Sequence, residues 1–179
     1  MIGNDVVDIT QSRKESNWQR IGFITKIFTA DEQLLIENAV NPEIMVWLLW
    51  SMKEAAYKIY NRQTKIRAFI PKKLECSILW QNSNESMGQV SCFGTFYQTK
   101  TSLFQDFIHT IAVSSLHDLN HIIEIENKNI TKDRHGIPHL FIGVIYQDVS
   151  VSHHGRFEEV VTLNHNNFPK TTNTKPISL

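Results

Sequence analysis

The stretch "NPEIMVWLLWSMKEAAYKIYN", Asn41 to Asn61, decides how this chain folds. Asn41 is of the residue type that caps a helix. Pro42 suits the first helical position, where its missing N–H has no partner to lose, and Glu43 sits at the positive end of the helix dipole. Ile44, Met45, Trp47, Leu48, Leu49 and Met52 then leave almost no polar face, so the helix is buried on most sides. Its second half nevertheless carries Lys53, Glu54 and Lys58. Glu54 and Lys58 are four residues apart and face the same way, with Trp50, Lys53 and Tyr57 near that stripe. As a solvated ion pair they would stabilise the helix by only about 0.2–0.5 kcal/mol. The alternative is that a helix so apolar continues as the wall of a cleft, with the charges turned into it.

Working outward, "IGNDVVDI" before this helix reads as a first strand carrying Asp5 and Asp8. "TQSRKESNWQRIGFITKIFTADEQLLIENAV" reads as helical in two pieces. Thr29 and Glu32 have capping-box spacing, which starts a helix at Ala30 and carries it to about Ala39. From about residue 66 the period changes to alternation. "KKLECSILW", "QVSCFGTFYQ", "DFIHTIAVSS", "HIIEIENKN" and "DVSVSHHGRFEEVVTL" read as strands, with "NSNESMG" and "KDRHGIP" as polar turns. Helices first and strands afterwards predict an α+β domain with helices packed on one face of a mainly antiparallel sheet. "NNFPKTTNTKPISL" has little to bury, which makes residues 1–165 the domain and 166–179 a flexible tail.

A chain of 179 residues fits one domain and buries roughly 70% of its unfolded surface, enough for a core without disulfide or structural metal. Its 18 basic and 18 acidic residues cancel, so no global field recruits nucleic acid or an anionic membrane. The basic residues at 62 to 73 are all that favours a nucleotide-binding or nucleic-acid-binding reading. Cys76 and Cys92 show no CxxC or Cys/His pattern and read as buried thiols of a reducing compartment. With no basic and apolar leader and no run of 18 apolar residues, the expected setting is the cytoplasm.

A carboxylate on each of two elements is how a protein holds Mg²⁺, which takes hard oxygen ligands, one or two protein carboxylates and substrate phosphates. Five short motifs, in order, point the same way. "IGNDVVDI" resembles the "GxD" strand of the 4'-phosphopantetheinyl transferases, and "WSMKEAAYK" their "W/F-x-x-KEA-x-x-K" helix. "FITKIFTADE" is similar to the segment that precedes this helix in holo-(acyl carrier protein) synthases, the family's short form. "DRHGIPHL" resembles their "GKP" turn, and "VSVSHHGRF" their terminal "SISH" strand.

The resemblance implies a 4'-phosphopantetheinyl transferase-like fold and a reaction: transfer of the phosphopantetheine arm of coenzyme A to a serine of an acyl or peptidyl carrier protein. It implies Mg²⁺ held by Asp5 and Glu54, with Lys58 near the phosphates. Lys53 either holds a phosphate or braces Glu54, and the serine's proton goes to Glu54 or to a metal-bound water. Ser152 and His153 match the pair that meets the 3'-phosphate of coenzyme A, with His154 and Arg156 as further candidates. Asp8 is either a second acid of the metal site or a hydrogen-bond acceptor at the strand end. Where two-domain members carry another acid this chain has Val7. Where the short form has a glycine loop it has "NRQTKIRAF", so Arg62, Lys65 and Arg67 either replace that loop at the phosphates or form a basic exposed turn. The chain is also longer than the short form, by strand material around residues 88 to 116.

The family docks its acidic carrier on a basic and apolar helix, here "SRKESNWQRIGFITK" with Arg13, Lys14, Trp18, Arg20, Phe23 and Lys26. Because a chain of this length offers half of the two-domain site, the resemblance also implies a homo-oligomer, a trimer before a dimer. A non-catalytic module that binds coenzyme A or a carrier protein is the other reading of the same motifs.

Overall fold

The computed structural model of the chain describes residues 1–126, 129–142 and 145–164. The proposed tail at 166–179, and with it the boundary at 165, lies outside the described residues.

Strand β1 (Ile2–Asp8) runs directly into α1 (Ile9–Glu15), because Asp8 turns from strand residue to N-cap and its carboxylate accepts from the Gln11 amide. Two further short helices follow, α2 (Phe23–Ile27) and α3 (Ala30–Glu37), the latter opened by the Thr29–Glu32 capping box. The central helix α4 (Pro42–Thr64) starts on the Asn41 cap and ends at Lys65, which adopts the left-handed conformation. The basic segment Ser12–Lys26, expected as one helix, is broken. α1 stops at Glu15 and Gly22, at φ 84°, lets the chain re-enter α2, so Trp18 and Arg20 sit on the connecting turn.

Four strands then complete a first sheet: β2 (Leu74–Gln81), β3 (Glu85–Cys92), β4 (Thr95–Leu103) and β5 (Phe107–Val113), in the order β1-β5-β4-β3-β2. "QVSCFGTFYQ" is two strands rather than one. Phe93 (φ 49°) and Gly94 (φ 83°) both have positive φ and make the tight turn of a β3–β4 hairpin. The second sheet holds β6 (Ile122–Glu124), β7 (Ile130–Lys132), β8 (Pro138–Ile142), β9 (Ile145–His154) and β10 (Phe157–Leu163), in the order β6-β10-β9-β8-β7. Every pairing among the described residues is antiparallel. The class is α+β as expected, with two sheets in place of one.

β1 and β5 form the middle of the molecule. One face carries Val7, Ile108 and Ala112 against α4, where Leu48, Leu49, Met52, Ala56 and Ile59 fill the main core. The opposite face carries Ile2, Ile111 and Val113 against Val161 and Leu163 of the second sheet. Both cysteines are buried and unbridged.

Candidate active site

Side chains alternate across a strand, so Gly3, Asp5 and Val7 share the α4 side of β1 while Asn4 turns to the second sheet. Gly3 lets the helix come close: a Cβ there would collide with the Ala55 carbonyl oxygen. The same side of β5 supplies Thr110, whose hydroxyl meets Ser51 Oγ of α4 at 2.6 Å. Held this way, Asp5 and Glu54 line one cleft of about 340 Å³. Trp47, Trp50, Phe23 and Ile27 form its apolar wall, and Glu15, His153 and His154 complete its polar side. Val7 also lines the cleft, but its side chain offers no oxygen.

Burial pushes both acids up. The Asp5 carboxyl rises to about 6, opposed by Lys58, Ser152 and His154. Glu54 rises to about 7 through burial and then through the charge of Asp5, with Lys58 opposing. Burial holds Lys58 below the usual lysine range against the pull of Asp5 and Glu54. Its ammonium donates to the backbone carbonyls of Asn4 (2.6 Å) and Val151 (3.2 Å), and Asp5 Oδ1 lies 3.8 Å away. Lys58 therefore joins β1 to β9 beside the acids.

The Ser152–His153 pair is split by strand alternation. His153 is exposed and lines the cleft. Ser152 is 5% exposed, accepts from the Val6 amide at 2.9 Å and donates to Asp5 Oδ1 at 3.1 Å, so its single proton is already placed. That position puts its hydroxyl on Asp5, and Ser152 is not among the residues that line the cleft. His154 Nδ1 accepts from the Asp8 amide at 3.0 Å, which puts the proton of the neutral ring on Nε2, 3.0 Å from Glu15 Oε2.

Four basic candidates fall away from the cleft. Lys53 is one residue before Glu54, about 100° round the helix, and points into the core. It bonds Glu32, Pro71 O and Leu74 O, so it neither reaches a phosphate nor touches Glu54. Arg62 is buried on Asp148 and on the carbonyls of Pro138 and Val149, where it ties α4 to the second sheet. Arg67 is exposed and donates to His135 O, and Lys65 lies 3.9 Å from Asp133. Asp8 is a hydrogen-bond acceptor: besides capping α1 it takes Arg156 through the backbone amide, Nε and Nη2, which holds its carboxyl well below the usual range. Arg156 is thereby engaged as well. Of the proposed docking residues, Arg13 pairs with Glu43 at 2.7 Å, Trp18 packs on the core and Arg20 lies over the Phe23 ring. Lys14 is exposed.

Asn4, Glu15 and Ser150 belong to this region and were not singled out from the sequence. A signal existed for two of them. Asn is depleted in strands, so Asn4 inside one asks for a polar partner, and Ser150 continues the period-two polar pattern of Ser152 and His154. Asn4 Nδ2 meets the Glu159 carbonyl (3.0 Å), which can only accept, and His109 Nε2 (3.3 Å). The His109 proton is therefore on Nδ1, the atom nearest Glu124 Oε1 at 4.0 Å. His109, Glu124 and Glu159 bring ligand atoms within 4.8 Å of one another, but this tautomer turns an N–H toward Glu124 where a metal would need a lone pair. Burial and the charge of Lys58 push His109 down to about 4, consistent with a neutral ring between the sheets.

The family model of the 4'-phosphopantetheinyl transferase superfamily matches residues 1–112. That is more than half of the 179 residues, and the chain belongs to this superfamily of transferases. The match contains Asp5, Lys53, Glu54 and Lys58, and stops before the second sheet with Ser152 and His153. Among curated proteins none matches the chain. No helix among the described residues is long and apolar enough to cross a membrane.

Proposed function

We propose that this protein moves the 4'-phosphopantetheine arm of coenzyme A to a serine of an apo acyl or peptidyl carrier protein and releases adenosine 3',5'-bisphosphate. The observation that carries the reading is that Asp5 of the opening strand and Glu54 of the central helix line one cleft. Both are hard oxygen donors, and burial pushes both up, which is the electrostatic condition a divalent cation relieves. The donor set therefore fits Mg²⁺, with Asp5 and Glu54 as the residues that would hold it. When bound, it supplies Lewis-acid neutralisation of diphosphate charge.

The chain's own residues do the rest. Glu54 lines the cleft beside Asp5 and is the carboxylate placed to take the proton of the attacking serine hydroxyl. Lys58 sets its side-chain nitrogen 3.8 Å from Asp5 Oδ1. His153, exposed on the cleft, is the group available to the 3'-phosphate. Trp47, Trp50, Phe23 and Ile27 exclude water from one wall, which suits the pantetheine arm.

About 340 Å³ is at the small end of ligand pockets and holds only part of a molecule as large as coenzyme A. A second copy of the chain would complete such a site, so the reading keeps a homo-oligomer, trimer before dimer, and residues 1–165 as the catalytic unit. Lys14, Arg20 and the fully exposed Ile21 lie within a few residues of the rim residues Ser16 and Phe23, a basic and apolar surface suited to an acidic carrier. The use of coenzyme A and the two free thiols fit a cytoplasmic setting.

The deciding experiment incubates the protein with apo carrier protein, coenzyme A and Mg²⁺ and weighs the carrier. Gain of one phosphopantetheine is expected. Binding of coenzyme A or carrier without any gain, across several carriers, would replace the transferase with a binding module.

A further inference from the structure

We propose that Ser152 is a positioning residue for Asp5, the central tooth of a side-chain comb on β9 that stands in for a missing neighbour strand of β1. The inference rests on the reading of Asp5 as a cation ligand.

β1 pairs with β5 on one side only, and its other edge presents the amides of Asn4, Val6 and Asp8. An unpaired strand edge buried in a protein must find acceptors. Here they are Ser150 Oγ (2.9 Å), Ser152 Oγ (2.9 Å) and His154 Nδ1 (3.0 Å). Each partner is 146 residues further along, so β9 follows β1 in the same direction and in fixed register. Side chains at every second position of β9 thus occupy the places that carbonyl oxygens hold in a sheet.

The three teeth differ in what they do with their remaining valence. Ser152 donates its hydroxyl hydrogen bond to Asp5 Oδ1 at 3.1 Å. His154 donates from Nε2 to Glu15 Oε2. Among the described residues Ser150 Oγ bonds the Asn4 amide and neither Asp5 nor Glu15. Lys58 bridges the same two strands through the carbonyls of Asn4 and Val151, the residues just before Asp5 and Ser152. Asp5 is thereby held between a hydroxyl and an ammonium, both anchored to β9. The second sheet, outside the family match, orients the acid of the first.

The test measures Mn²⁺ binding by electron paramagnetic resonance on the full chain with coenzyme A present, alongside thermal melting. Ser152→Ala is expected to bind Mn²⁺ about 10- to 100-fold more weakly, the usual loss when a ligand's hydrogen-bond partner is removed. Ser152→Thr keeps the hydroxyl and is expected to restore binding. Ser150→Ala is expected to lower the melting temperature yet stay within about 2-fold of wild type for Mn²⁺, as independent sites do. Equal Mn²⁺ losses in the two alanine variants, or none in Ser152→Ala, overturn the proposal. Should Ser152→Ala not fold, Ser152→Cys keeps the shape with a weak donor, and wild-type Mn²⁺ affinity in it overturns the proposal as well. A Ser152→Ala protein that loses affinity for coenzyme A but not for dephospho-coenzyme A, with Mn²⁺ unchanged, returns Ser152 to the 3'-phosphate. If wild type binds coenzyme A but no Mn²⁺, the metal reading itself fails and takes this inference with it.

Discussion

Lys53 Nζ sits 2.7 Å from Glu32 Oε1 with the two side chains 0% and 1% exposed, an ion pair sealed between α3, α4 and the start of β2. Glu32 is fully used: Oε2 accepts from the Thr29 amide (2.8 Å) and Oε1 from the Cys76 amide (2.7 Å). The lysine next to the candidate catalytic glutamate is therefore a fastening of the fold. Removing one partner leaves a buried charge unpaired, at a cost of about 3–5 kcal/mol, whereas replacing both with apolar residues of similar size can be neutral. Lys53→Met and Glu32→Gln should each lower the urea midpoint strongly, and Glu32→Leu with Lys53→Met should recover only part of the loss, because the Thr29 and Cys76 amides and the Pro71 and Leu74 carbonyls lose these partners. A Lys53→Met protein of wild-type stability that has lost coenzyme A affinity would put the lysine back at a phosphate.

Glu54 and Asp5 predict the opposite trade. Both are pushed up by burial, so ionising them in the absence of a cation destabilises the fold. Glu54→Gln and Asp5→Asn should abolish phosphopantetheine transfer while raising the melting temperature of the metal-free protein at pH 8. If each relieves roughly 1 kcal/mol, the rise is about 2–4 °C for a chain of this size. Differential scanning calorimetry with and without Mg²⁺ checks this. Loss of transfer accompanied by a lower melting temperature would mean that the acids support structure.

How far the sequence reached follows from how local each signal is. The start of α4 was legible because the Asn41 cap, Pro42 and the apolar run lie within a dozen residues and agree. Asp5 and Glu54 were legible as a pair only through their motifs, since nothing local says that a strand and a helix so far apart share a cleft. The orientation of Lys53 was not legible: on a helix apolar nearly all round, neither Lys53 nor Glu54 announces which faces the core. The Arg62–Asp148 contact and the β1–β9 comb join residues 86 and 146 apart, beyond any pattern of period two or 3.6. The Phe93–Gly94 turn carried a signal in its glycine, but alternation on both sides ran through it.

Asp8 and Arg156 give a pH prediction. The guanidinium bonds, ahead of the opposing effect of burial, hold the Asp8 carboxyl below its ordinary value of about 3.9. The folded state therefore binds fewer protons there than the unfolded chain, and the stabilisation is present above about pH 4 and lost as pH falls through the folded value. Asp8 is 1% exposed but Arg156 is 55% exposed, so solvent screens the pair and the effect is modest. Asp8→Asn keeps an acceptor for the Gln11 amide and loses the ion pair. Its melting temperature should lie below wild type at pH 7, with the gap closing between pH 5 and pH 2. A gap that stays constant to pH 2 would assign the loss to packing.

Gly3 sets the spacing on which the site depends. Its φ is not in the left-handed region, so the need for glycine is steric. A Cβ would collide with the Ala55 carbonyl oxygen and lie 3.2 Å from both the Ala55 carbonyl carbon and Ile59 Cγ1. The obstacle is helix backbone, which cannot swing aside as a side-chain tip could. Gly3 is two residues before Asp5, and Ala55 immediately follows Glu54, so forcing β1 from α4 separates the two acids. Overpacking of this kind costs about 1–3 kcal/mol, which a domain of this size can survive. A misplacement of about 1 Å at a reacting centre costs about 100-fold in rate. Gly3→Ala should therefore remain folded and lose transfer activity out of proportion to its stability. Gly94→Ala supplies the comparison: at φ 83° it is strained, but nothing lies within 4 Å and the hairpin tip contributes no residue to the cleft lining. It should lose stability and keep its specific activity. Equal activity per folded molecule in the two variants would show that the Gly3–Ala55 contact does not govern the distance between Asp5 and Glu54.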